Sequence, residues 1–163
     1  IPYLYNELCQ LNMKQICRFI FILPTFLFIS CSFHQVAEDK DPWIEMEKTS
    51  CRGQCPEFKV SFYSDGRAIY EGYSFAPRTG KYYARLSGKD FEKLKDMVTT
   101  YQPDSFQNNY LSLRPDLPTT YIRYTSGGKI RIITDYDNAP EGLKKFEEEL
   151  EKLTERLSWK KFR

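Results

Sequence analysis

A chain of 163 residues, 41% hydrophobic and 28% charged, has room for one packed domain; this composition excludes a disordered polymer and a protein immersed throughout in lipid. Its 24 basic and 22 acidic residues leave a net charge of +2, too weak a field to argue for a nucleic-acid partner. Aromatic residues reach 16%, with 12 Tyr and 12 Phe, which suits half-buried pleated surfaces and so a β-rich body.

Residues 1–12, IPYLYNELCQLN, fit no targeting head and read as an extension upstream of a start at Met13; they and Cys9 are set apart from the fold. From Met13, Lys14 and Arg18 form a basic head, Phe19 to Ile29 an apolar run, and Ser30-Cys31 a small-residue boundary, which together make 13–30 a secretory signal. Pro24 interrupts the run, which falls well short of the roughly 20 apolar residues of a spanning helix. The boundary Phe28-Ile29-Ser30-Cys31 resembles the lipobox of bacterial lipoproteins. That resemblance implies that Cys31 becomes a diacylated mature N-terminus carrying palmitate-type chains, and two such chains anchor firmly. A plain signal peptide or a short anchor with an incidental cysteine is the alternative.

Residues 31–42 then read as a polar tether. Ser32 stands where an aspartate would retain some lipoproteins at the inner membrane, which by resemblance implies the outer membrane. The acidic Glu38-Asp39-Lys40-Asp41 is similar to tags that send lipoproteins to the cell surface, or is a solvated linker.

The domain is expected over 43–163. Ile44 and Met46 alternate with Glu45 and Glu47 in a first strand, and Phe58, Val60 and Phe62 alternate with polar neighbours in a second. Asp65-Gly66 is a strong hairpin signal before a third strand, Ala68 to Tyr73; Lys81 to Leu86 is a fourth. Ser87 to Asp90 has the spacing of a capping box, followed by helical recurrence at Phe91, Leu94, Met97, Val98 and Tyr101. Residues 102–118 form a long loop. Thr120, Ile122 and Tyr124 make a strand, Ser126-Gly127-Gly128 turns it, and Ile130 and Ile132 lie on its partner. Asn138 is the expected cap of a last helix whose stripe is Leu143, Phe146, Leu150, Leu153 and Leu157, with the acidic run from Glu147 to Glu151 on its solvated side. The order β-β-β-β-α-loop-β-β-α predicts an α+β fold: an antiparallel sheet of about six strands with two helices packed on one face.

The stretch CRGQCPEFKVSFYSDGRAIYEG resembles the signature of a family of uncharacterised bacterial domains, C-x-G-x-C-P-x-[YF] followed by an apolar strand, a D-G turn and a Y-x-G strand. Cys51, Gly53, Cys55, Pro56, Phe58, Asp65, Gly66, Tyr70 and Gly72 match in place. Asp116 and Pro118, and the leucine helix ending near Trp159, are also similar. The likeness implies an envelope lipoprotein of this fold and no particular activity.

In an oxidising compartment Cys51 and Cys55 are the two cysteines of the body, and a turn over Arg52-Gly53-Gln54, with Gly53 free to take a positive φ, can bring their Cα atoms within bridging range. So short a ring contributes roughly 2 kcal/mol and pins the bend between the first two strands. Two other readings stand beside this staple. One is redox exchange, because C-x-x-x-C-P also resembles copper-handling motifs of thioredoxin-fold proteins; the other is a metal site. Against the metal, the sole histidine, His34, lies in the tether, and a structural zinc needs about four ligands. Asp116, Asp135 and Asp137 are candidate acid–base carboxylates near strand ends, or simply turn formers. Tyr82, Tyr83, Arg85, Tyr121, Arg123 and Tyr124 form a candidate binding face for a glycan or an envelope protein. The expectation is a lipid-anchored envelope protein whose domain binds a partner without catalysis, cofactor or metal; thiol–disulfide redox or metal handling at Cys51/Cys55 is the alternative.

Overall fold

The structure is a computed structural model that describes residues 41–163. The upstream extension, the signal segment, Cys31 and the tether up to residue 40 lie outside the described residues.

The elements are β1 (Ile44–Lys48), β2 (Phe58–Phe62), β3 (Arg67–Gly72), β4 (Gly80–Arg85), α1 (Gly88–Tyr101), a 3₁₀ turn (Pro103–Ser105), β5 (Asn109–Tyr110), β6 (Thr120–Ser126), β7 (Lys129–Asp135), α2 (Glu141–Arg156) and β8 (Lys160–Lys161). One mixed α+β body results, with two helices and a single sheet in the order β5-β7-β6-β1-β2-β3-β4-β8. The sheet has eight strands rather than about six. The two extra strands, β5 and β8, are two-residue pieces that close its opposite edges, and β5 runs parallel to β7 where all other neighbours are antiparallel.

Local chemistry makes the turns. Gly66 adopts φ 81°, and the Asp65 carboxylate accepts from the Arg67 backbone N–H at 3.0 Å and from its Nε at 2.7 Å, closing the β2–β3 hairpin. Gly127 and Gly128 both have positive φ, the two-residue turn that matches strand twist between β6 and β7. Ser87 caps α1, its hydroxyl accepting from the Asp90 N–H at 3.1 Å; Asp90 accepts that same hydroxyl at 2.6 Å instead of reaching back to the Ser87 backbone. Asn138 is not the cap of α2. It takes φ 62° in the loop before, and Pro140 occupies the capping position with no side-chain bond.

Period-two alternation puts Ile44, Met46, Val60, Phe62, Ala68, Tyr70, Ala84, Ile122 and Ile133 into one buried cluster, joined by Leu94 and Met97 of α1 and by Leu143, Phe146, Leu150 and Leu153 of α2. Tyr70 is its largest buried side chain, stacked on Phe58 at 5.5 Å and flanked by Trp159 at 5.5 Å. The helices are tied to each other by Lys93–Glu149 at 2.7 Å and by Tyr101 against Phe146 at 5.8 Å. On the opposite face, Lys59, Glu71 and Lys81 form a charge ladder across β2, β3 and β4 with N–O distances of 4.0 and 3.9 Å.

Candidate functional site

Strand register assembles a polar end to the core. Lys48, the last residue of β1, pairs with Thr120 at the start of β6, which pairs with Asp135 at the end of β7. All three lie on the face that carries Met46 and Ile122, so they point toward α2. From α2 come Lys144, Glu147, Glu148 and Glu151, spaced i, i+3, i+4, i+7 and therefore on one side of the helix. Together with Pro118, Cys55 and Pro56 these residues line a cleft of about 380 Å³. The chain enters the domain at the other end of β1, so the cleft lies at the end of the sheet remote from residue 41.

The charges in this cleft are unevenly satisfied. Lys48 pairs with Glu151 and Lys144 with Asp135 Oδ2, so both cations are engaged. Asp135 and Glu147 are only 2% and 5% exposed, yet neither Asp135 Oδ1 nor Glu147 Oε1 accepts a hydrogen bond from any protein donor. Buried carboxylate oxygens without donors are costly. Burial, and secondarily the Asp135 charge, pushes the Glu147 carboxyl up to about 8, against the opposing pull of Lys144 and Lys48. A proton on Glu147 converts one acceptor into a donor toward Asp135. The arrangement can therefore supply, at near-neutral pH, a proton, a charge or two inward-facing acceptors. Among the described residues, no group of three or more His, Cys, Asp or Glu side chains is placed to hold a metal ion.

Glu147 belongs to the acidic run expected on the solvated side of α2, and that expectation fails for this residue. Position 147 is i+4 from Leu143 and i−3 from Leu150, so it borders the apolar stripe; the spacing carried the signal. Of the three candidate carboxylates, Asp135 alone enters the cleft. Asp137 is gripped by Arg114 at 2.8 and 2.5 Å, and these bonds hold its carboxyl down at about 2. Asp116, at φ 61°, receives the Arg52 guanidinium at 3.4 Å and its carbonyl accepts the Arg52 N–H at 3.5 Å, joining the two loops beside the cleft.

Cys51 and Cys55 form a disulfide with Cα atoms 5.6 Å apart, closing the loop between β1 and β2, and Cys55 and Pro56 put one edge of that loop into the cleft wall. Gly53 does not use the left-handed region that its type allows: the glycines with positive φ are Gly66, Gly80, Gly127 and Gly128. The tyrosine and arginine set divides. Tyr82 and Tyr124 turn to the core side, Tyr82 against Tyr70 at 6.3 Å. Tyr83, Arg85, Tyr121 and Arg123 take the other face by alternation. Tyr83 and Tyr121, 39% and 37% exposed, are separated by the three strands β1, β2 and β3, hence by roughly 19 Å at ordinary strand spacing, and do not form one platform.

Residues 42–154 match the family described as Domain of unknown function (DUF6438), which covers most of the chain; the chain belongs to this family. No curated protein matches it.

Proposed function

We propose that this chain is a lipid-anchored protein of the cell envelope whose folded domain is a binding module, and that its ligand seats in the cleft between α2 and the ends of β1, β6 and β7. The observation that carries the reading is the pair of unpartnered acceptors, Asp135 Oδ1 and Glu147 Oε1, buried at the wall of a cleft with the volume of a small-ligand site. A proton on Glu147 provides one donor for these two oxygens, and a ligand that brings several donors can serve both at once. The anchor rests on the lipobox-like Phe28-Ile29-Ser30-Cys31, and the outer membrane on Ser32. No helix of the described residues is long and apolar enough to cross a membrane.

The test is an amide-shift survey of the whole chain in detergent micelles against small probes of four kinds: alkylammonium salts, neutral saccharides, carboxylates and short uncharged peptides. The reading expects at least one kind to move Lys48, Thr120, Asp135 and Lys144 together and saturably. It fails if none does.

Cys55 in the cleft wall favours one second reading, thiol–disulfide exchange at Cys51–Cys55. That reading requires a midpoint potential within reach of dithiol oxidoreductases, and a bond that stays closed in such buffers removes it.

A further inference from the structure

The lining of the cleft narrows the class of ligand. Four carboxylates, Asp135, Glu147, Glu148 and Glu151, face two ammonium groups, Lys48 and Lys144, both already engaged. What the lining lacks is therefore an unengaged cation and N–H donors beside Asp135 and Glu147, whose Oδ1 and Oε1 no protein donor reaches. An anionic ligand meets a carboxylate-rich wall whose two lysines are already engaged. A neutral hydroxyl supplies one donor and no charge. A metal ion lacks a third ligating side chain among the described residues. A primary ammonium brings three donors and one positive charge, enough for both oxygens at once.

We infer that the cleft takes a primary ammonium group, the end of an alkylamine or of a lysine-like side chain, seated against Glu147 and Asp135. This rests on the cleft being the ligand site. The exchange balances: the entering R–NH₃⁺ keeps its protons, the Glu147 carboxyl loses one to solvent, and the carboxylate pair passes from one net negative charge to two. The charged groups facing Glu147 are Asp135 from β7, Lys48 from β1, and Lys144, Glu148 and Glu151 from α2 itself. Of these, Lys48 pairs with Glu151 and Lys144 with Asp135, and Glu148 is itself paired with Lys152 at 2.7 Å. Binding and proton release are thus linked through Glu147. The affinity for an ammonium rises about tenfold per pH unit below the Glu147 midpoint and levels off above it.

The experiment is calorimetric titration of the whole chain in micelles with n-butylammonium chloride. It is run near pH 6, 7 and 8.5, in paired buffers of different ionisation enthalpy, with tetramethylammonium as a cation lacking N–H groups. Expected are close to one proton released per ammonium bound near pH 7, affinity about tenfold weaker near pH 6, and no binding of tetramethylammonium. Glu147→Gln is expected to weaken butylammonium at least tenfold and to abolish proton release. Equal binding of tetramethylammonium, or butylammonium bound without proton release, overturns the inference; this readout on the native chain holds even if the variant folds poorly. If saccharide, carboxylate or peptide probes move the cleft amides and butylammonium does not, the ammonium assignment falls and the cleft stands as a ligand site. If no probe moves them, both fall.

Discussion

Replacing Glu147 by Gln keeps the shape of the side chain and removes its proton equilibrium. In the fold the carboxyl lies at about 8 against an ordinary 4.5, so the folded state holds a proton that the unfolded chain has already released. The resulting stability is fully present below pH 4.5 and is lost as pH rises through about 8, the opposite of a salt-bridged carboxylate. Integrated over the two titrations, the wild-type domain loses on the order of 3 kcal/mol between roughly pH 5 and pH 8 from this one group, a large fraction of the 5–15 kcal/mol typical of a domain. The amide that E147Q introduces donates to Asp135 Oδ1 at every pH, so the variant's profile is expected to be flat over that interval. The two proteins should match near pH 5, and the variant should be the more stable near pH 8.5. Urea denaturation followed by the fluorescence of Trp43 and Trp159, both packed against the core, reads this directly. Parallel pH profiles for wild type and variant would refute the buried, proton-holding Glu147 carboxyl.

Three further perturbations test other parts. A Cβ on Gly72 would collide with the carbonyl oxygen of Arg78 and lie 2.9 Å from Tyr70 Cε1; Gly72→Ala is therefore expected to cost about 2 kcal/mol or more in the same denaturation assay, and a neutral result would mean that the 73–79 loop yields freely. Replacing Cys51 and Cys55 together by Ser should lower stability by about 2 kcal/mol and leave the far-ultraviolet dichroism unchanged, because the ring they close is short. Cys31→Ala should move the protein from the membrane to the soluble fraction on ultracentrifugation, and continued membrane partition would remove the acyl anchor.

Features built from neighbouring residues were legible before the fold. Asp65-Gly66 and Gly127-Gly128 dictate their turns through backbone freedom, Ser87 caps its own helix, and the leucine spacing of α2 defines a buried stripe. What escaped depends on distant partners. The strands β5 and β8 are two residues each and exist only because β7 and β4 offer open edges. Asp135 was a candidate by its place at a strand end. Glu147 was hidden in an acidic run, and only the approach of β7 to α2 shows that its carboxyl is buried. The aromatic set was over-grouped, because alternation along β4 and β6 already sends Tyr82 and Tyr83, and Tyr121 and Tyr124, to opposite faces.

The place of β1 has a mechanical consequence. The strand nearest the start of the domain is not an edge: it sits mid-sheet, paired along Ile44–Lys48 with β2 on one side and β6 on the other. Within the sheet of the described residues it is the strand that joins the β2-β3-β4-β8 half to the β5-β7-β6 half. A pull applied to the chain at Asp41 loads that strand lengthwise, so its bonds to both neighbours bear the force in shear together instead of peeling open one at a time. A domain tethered from this end would resist tension where it is best reinforced, and the cleft, at the far end of the same strand, would be the last part of β1 to feel the strain.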